Sequence, residues 1–217
     1  MFNTPGGMDQ LKAMGLRNVP VVAVGESYTF AQNLKDVAKF LGVQLNREQL
    51  APADLAARYD AILETAQRLV RQVPVDKLDE RVIPNRPRIL HPFLFHIFRI
   101  GEAFLIAYGG EEYNNTIANT DPPDSVRTPA EVVAYGQQIR ERLAAWWASN
   151  ADRNLEKKID TYYGEQVAHD VFERTTWHSA QHTRQLAAVL ERFGIMPDRP
   201  LTADQLKGLP LPDGLWE

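Results

Sequence analysis

The sequence predicts a mainly α fold, a four-helix bundle preceded by a small α/β segment, and three observations carry that expectation. Four stretches of about 20 to 29 residues place apolar side chains at alternating steps of three and four, the stripe of a helix that buries one face. Proline or glycine marks most of their boundaries, at Pro52, Pro74, Pro84, Pro87, Gly109-Gly110 and Gly194. Only one short run, residues 19–24 (Val19-Pro20-Val21-Val22-Ala23-Val24), has the β-branched density of a buried strand.

Residues 1–48 differ in kind from the rest of the chain and are expected to form a separate segment. Residues 8–14 read as a short helix, 19–24 as a strand and 29–41 as an amphipathic helix. A single strand makes no sheet, so it needs a partner. That partner could lie elsewhere in this chain; because the helices downstream offer no obvious strand, the expected one is the same strand of a second copy, giving a two-fold homodimer through residues 19–24. The alternative is a monomer whose strand packs its apolar face on the bundle with its edges in water.

Residues 49–217 are expected to hold the bundle and a C-terminal strap. The first long helix spans 53–72, between Pro52 and Pro74, with Leu55, Tyr59, Ile62, Ala66, Leu69 and Val73 along one face. The second comes after the Pro84 and Pro87 loop, carries Ile89, Phe93, His96, Ile100, Ala103 and Ala107 on its seam, and closes at Gly109-Gly110. The third spans 129–149 with Thr128 as N-cap and a seam of Val132, Gly136, Ile139, Leu143 and Trp146. Its approach through the turn-rich residues 114–127 fits a crossover better than a hairpin. The fourth spans about 165–193, with Val167, Val171, Thr175, His178, His182, Gln185, Val189 and Phe193 on one face and Gly194 after it. Residues 195–217, with Pro197, Pro200, Pro210, Pro212, Leu215 and Trp216, read as a strap packed across the helices.

Composition narrows the functional classes. A formal charge of −4 provides no basic patch for a phosphate backbone, so no nucleic-acid partner is expected. With no continuous run of about 18 apolar residues and no charged-then-apolar leader, no membrane partner is expected either, and a cytoplasmic location is. The absence of cysteine rules out disulfides, thiolate ligands and a protein thiol nucleophile. A metal would therefore sit on His, Asp or Glu.

Histidine placement is the functional signal. His178 and His182 are four residues apart and project from one face of a helix, and His96 lies on the inward seam of another. Any one of them alone is more often a half-buried core residue. Three on facing seams cost several kcal/mol unless each is hydrogen-bonded or ligated, and three imidazoles with an open position form a catalytic zinc-type ligand set. His91 and His169 fall off these faces. Arg99 and Gln185, each three residues beyond a candidate ligand, could line the cavity as catalytic or substrate-binding groups, or simply bond across the helices. Trp177 and Gln181 flank the histidines, and Glu102 and Glu173 could receive imidazole N–H groups.

The segment Thr176-Trp177-His178-Ser179-Ala180-Gln181-His182-Thr183-Arg184-Gln185-Leu186, with Leu94-Phe95-His96-Ile97 upstream and Leu209-Pro210-Leu211-Pro212 near the end, resembles the DinB-like superfamily of metal-binding four-helix bundles. The resemblance covers residues 52–217. It implies a three-histidine metal site at His96, His178 and His182, one divalent ion, zinc or nickel, and a transferase or isomerase using a low-molecular-weight thiol. The opening Gly15-Leu16-Arg17-Asn18-Val19-Pro20-Val21-Val22-Ala23-Val24-Gly25, continued by a helix to Gly42, is similar to the second half of a glutaredoxin. In that family the Val-Pro step, with a cis proline, lines the thiol-peptide groove, which here implies a vestigial binding surface at Val19 and Pro20. The first strand and the redox cysteines of that family are missing, so thiol–disulfide chemistry is not implied. Two functions are compatible with these features: a metal-dependent S-transferase or isomerase acting on a small-molecule substrate, or a non-catalytic metal- or ligand-binding module with a docking or dimerising glutaredoxin-like remnant.

Overall fold

A computed structural model of the chain describes residues 7–16, 20–84 and 88–216. Helix accounts for 54% and strand for 8%, so the protein is mainly helical. The chain divides into two compact units, Met1–Glu48 and Gln49–Glu217.

The first unit contains α1 (Gly7–Ala13), β1 (Val21–Val24), β2 (Ser27–Phe30) and α2 (Leu34–Leu41). Here the expectation of a lone strand is corrected. β1 pairs antiparallel with β2, Val21 opposite Phe30 and Val24 opposite Ser27. Two residues, Gly25 and Glu26, connect them, and Gly25 sits at φ 61, the positive value that a two-residue hairpin turn asks of its first residue. Residues 27–30, read from sequence as the approach and start of a helix, are thus strand. Asn33 accepts from the Lys35 N–H at 2.9 Å, so α2 begins only at Leu34. Val19 lies outside the described residues, and the strand within them begins at Val21.

The second unit is built from α3 (Pro52–Arg71), α4 (Leu90–Tyr108), the short α5 (Asn115–Ala118), α6 (Pro129–Ser149), the small antiparallel pair β3 (Lys158–Ile159) and β4 (Gln166–Val167), α7 (Ala168–Arg192) and the one-turn α8 (Ala203–Leu206). Residues 165–167 belong to β4 and its approach, so the fourth long helix starts three residues later than its periodicity suggests. Pro92 falls in the first turn of α4, where its missing N–H costs nothing. Thr128 and Glu131 close a capping box at the start of α6.

Side-chain pairs fix the direction of each long helix. α4 and α6 run parallel: Phe95 stacks on Tyr135, Phe104 meets Trp146, and Tyr108 donates to Asn150. α3 opposes α6 through Gln67 to the Val133 carbonyl and Arg140 to Asp60. α7 opposes α4 through Phe93 with His182 and Phe104 with Phe172. Two parallel helices cannot be joined by a tight turn, so the α4–α6 connection is a crossover, with α5 inside it. Leu55, Ile62, Leu63, Leu69, Phe93, Leu94, Phe98, Phe104, Leu186 and Val189 share the core at 0% exposure.

Two glycines set the helix spacing. A Cβ on Gly136 would come within 2.7 Å of the Phe98 ring, and one on Gly101 within 2.7 Å of the Tyr59 hydroxyl. The apolar α4 has the length and hydropathy of a membrane-crossing helix, more than the sequence pattern alone suggests, but 67% of that stretch is buried against its neighbours.

Candidate metal centre

α4 and α7 bring His96, His178 and His182 together, with one candidate ligand atom from each lying within 4.8 Å of the others. Ring centroids are 4.6 Å apart for His178 and His182, 5.3 Å for His96 and His182, and 5.5 Å for His96 and His178. The antiparallel packing of the two helices produces this meeting. Ser179 anchors it by donating to the Ile97 carbonyl at 2.9 Å, between the two ligand-bearing faces. Phe93 sets its ring edge against His182 and Trp177 stacks on His178, so the imidazoles are walled by aromatics.

Hydrogen bonds define which nitrogen His182 presents. Gln185 donates its amide nitrogen to the Leu215 carbonyl at 2.9 Å, so its Oε1 faces His182 Nδ1, 2.7 Å away. An amide oxygen only accepts, so His182 carries a proton on Nδ1, and in its neutral form the lone pair is at Nε2. That Nε2 lies 2.9 Å from His178 Nε2. Tetrahedral ligation at about 2.1 Å would place two such nitrogens roughly 3.4 Å apart, so the pair needs only a small opening to take an ion. His178 Nδ1 is buried with no hydrogen-bond partner among the described residues. The two Nε2 atoms that face each other are the pair a cation between the rings would take up in place of their mutual hydrogen bond. His96 is held by the Ala118 carbonyl of α5.

Burial is the first cause holding the His96 and His178 imidazoles well below the usual histidine range. The neighbouring His182 ring and the charges of Arg88 and Arg174 push the same way. Neutral imidazole is the form that ligates. Arg174 stands one turn before His178 on α7, buried, with its guanidinium 3.1 Å from the Tyr113 hydroxyl and over the Tyr113 and Tyr163 rings.

Other residues singled out in the sequence go elsewhere. Arg99 donates to the Ile117 carbonyl, Glu102 and Thr120, tying α4 to the α5 crossover. Glu102 accepts from Tyr135 and Arg142 as well, and Glu173 from Gln49, so the imidazole N–H groups are received by Gln185 and Ala118 instead of these carboxylates. His91 pairs with the Val126 carbonyl and His169 with that of Leu50, away from the cluster. Gln181 grips the Gly214 and Leu215 carbonyls. In the first unit Pro20 is exposed, and its carbonyl receives the Ala31 N–H at the open end of the hairpin. Sequence reasoning misses Arg174, although its spacing of four from His178 is visible. Arg88 and Ala118 carry no such signal, because loop packing places them.

Compared with known proteins, the chain matches no family model and no curated sequence.

Proposed function

We propose that residues 49–217 form a DinB-like four-helix bundle that binds one divalent cation, zinc or nickel, through His96, His178 and His182, and works as a transferase on a low-molecular-weight thiol. The single observation that carries this reading is the convergence of three imidazoles from two helices, with Gln185 accepting from His182 Nδ1 so that Nε2 is the nitrogen turned toward the other rings. When bound, the cation supplies a Lewis acid that acidifies a thiol or a water molecule toward neutral pH. The protein's own part is to hold three imidazoles together, to wall the centre with Phe93 and Trp177, and to add the positive charges of Arg88 and Arg174. Those charges favour an anionic nucleophile or substrate beside the histidines. Gln185 serves this centre by orienting a ligand. Arg99 serves the fold of the crossover.

The first unit is read as the hairpin-and-helix remnant of a glutaredoxin-like domain, supported by its order of strand, strand and helix after Pro20.

The test is metal analysis of protein purified without a metal-affinity column, and then thiol-transfer assays on the zinc- and nickel-loaded forms with small electrophiles. One ion per chain and thiol consumption that depends on it support the proposal. Stoichiometric metal without any thiol reaction would leave a binding module, and protein that takes up no zinc or nickel would overturn the assignment.

A further inference from the structure

The C-terminal strap reaches the metal centre through a two-bond relay. The Leu215 carbonyl accepts from Gln185 Nε2 at 2.9 Å, and Gln185 Oε1 lies 2.7 Å from His182 Nδ1. Gln181 donates to the same Leu215 carbonyl at 2.6 Å, and Arg184 bridges Gln181 Oε1 and the Pro212 carbonyl. Gln181, His182 and Gln185 are all buried, at 4%, 9% and 5% exposure.

A glutamine amide is symmetric in shape but not in chemistry. Turned one way it presents an acceptor to His182 Nδ1 and leaves Nε2 bare. Turned the other way it presents N–H, which forces the histidine proton onto Nε2 and removes the lone pair a metal needs. A backbone carbonyl can only accept, so once Leu215 is docked the amide nitrogen must face it and the oxygen must face the ring.

We infer that Gln185 is a positioning residue and that the docked strap, through the Leu215 carbonyl, selects the metal-competent tautomer of His182. This rests on the three-histidine reading of the site. The strap is then a working part of the metal centre even though its backbone lies outside the ligand set, and metal affinity is coupled to the docking of the last residues of the second unit. Partners that orient ligating histidines typically contribute 10- to 100-fold in affinity.

The experiment uses full-length protein and two readouts: the ¹⁵N imidazole spectrum of the metal-free form, which reports the His182 tautomer, and zinc titration. Wild type should show a single Nδ1–H tautomer for His182. Gln185→Leu should give a mixture and bind zinc about 10- to 100-fold more weakly. Gln185→Glu keeps an acceptor toward His182 but loses the donor toward Leu215, so it should retain the tautomer and the affinity. The double variant Gln181→Ala/Arg184→Ala leaves Gln185 intact and loosens only the strap, and should show a partial loss of both. A Gln185→Leu protein with the wild-type tautomer overturns the relay, and a double variant identical to wild type overturns the role of the strap. Wild type that shows the tautomer but takes up no zinc overturns the metal reading instead, so the two failures are distinguishable. A melting curve for each variant separates local change from unfolding.

Discussion

The two units of this protein handle apolar surface in opposite ways. In the second, the long helices bury the body of their seams: Leu55, Ile62, Leu69, Phe93, Phe98 and Leu186 have no exposed surface, although Ile89, expected on the α4 seam, is its N-cap and stands 40% exposed. In the first, Leu11, Val21 and Ala38 are buried, but Val24, Tyr28, Leu34, Leu41, Val43 and Leu45 are large apolar residues open to solvent. One hairpin and two short helices cannot enclose the side chains they carry. The difference separates their roles: the unit that encloses its core holds buried, desolvated histidines, whereas the first unit, among the described residues, leaves most of its large apolar side chains open to solvent.

The largest expected effect breaks that assignment if it fails. His178→Ala or His182→Ala should abolish stoichiometric metal binding, because two remaining imidazoles hold a divalent cation poorly. His91→Ala and His169→Ala should keep full occupancy, since both rings are committed to backbone carbonyls elsewhere. A chain lacking residues 1–48 should also load fully. Metal content by mass spectrometry of native protein checks all five, and loss of metal on removing the first unit would put part of the site there.

Next in size is a pair of glycine substitutions, one in each unit. Gly136→Ala drives a methyl against the Phe98 ring, which is fully buried and has nowhere to go. Overpacking of this kind costs about 1–3 kcal/mol, or a fall of roughly 2–4 °C in melting temperature per kcal/mol for a unit of this size. Gly25→Ala meets open space but forces an L residue to φ 61, at about 1–2 kcal/mol. Its effect should be confined to faster amide exchange in Val21–Val24 and Ser27–Phe30, with the melting of the helical unit unchanged. Equal effects of the two on one cooperative transition would show that the units fold as one.

A smaller effect concerns Glu102, which joins α4 to α6. Burial raises its carboxyl pKa, but hydrogen bonds from Tyr135 and Arg142 and the charge of Arg99 outweigh that and hold it below the ordinary value of 4.5. The folded state therefore binds fewer protons than the unfolded chain. The stabilisation is complete above the unfolded pKa and is lost as pH falls through the lower folded one. Glu102→Gln should cost about 1–2 kcal/mol at pH 7, after allowance for solvent screening, and should flatten the acid limb of a stability–pH curve. An acid limb as steep as wild type's would place that titration elsewhere.

The same contrast explains what the sequence discloses. Seams such as Leu55-Tyr59-Ile62-Ala66-Leu69 are long enough to declare a period, and the caps at Thr128 and Gly194 locate their ends, so the second unit and its three histidines are legible. Residues 29 and 30 mislead because Thr29 and Phe30 satisfy a helical stripe as readily as a strand, and only Gly25 announces the turn that pairs them with β1. Arg99 misleads because spacing on a helix says which face a residue shares, but not that the α5 crossover comes to meet it. The orienting role of Gln185 is hidden for a similar reason: its partner, the Leu215 carbonyl, lies 30 residues away in a segment with no periodicity.

The smallest expected effect concerns the outer edge of the hairpin. β2 satisfies one edge of β1, which removes the necessity of a second copy but not the opportunity. Each strand of a two-stranded sheet still has an edge on its other side, and such a sheet is marginal until it is extended. Val24, at 60% exposure, stands at the turn end of β1. We therefore expect weak, concentration-dependent dimerisation in which β1 of one copy meets β1 of another, building a four-stranded sheet about a two-fold axis. The interface would be small, so the dimer should dissociate on dilution. Val24→Lys would bring like charges near the same axis and should abolish it, as should removal of residues 1–48, with metal occupancy unaffected in both. Light scattering across a hundredfold range of concentration reads the outcome directly. A wild-type mass that stays monomeric throughout would show that the first unit leaves its apolar surface for some other partner, and that the comparison between the units ends at burial.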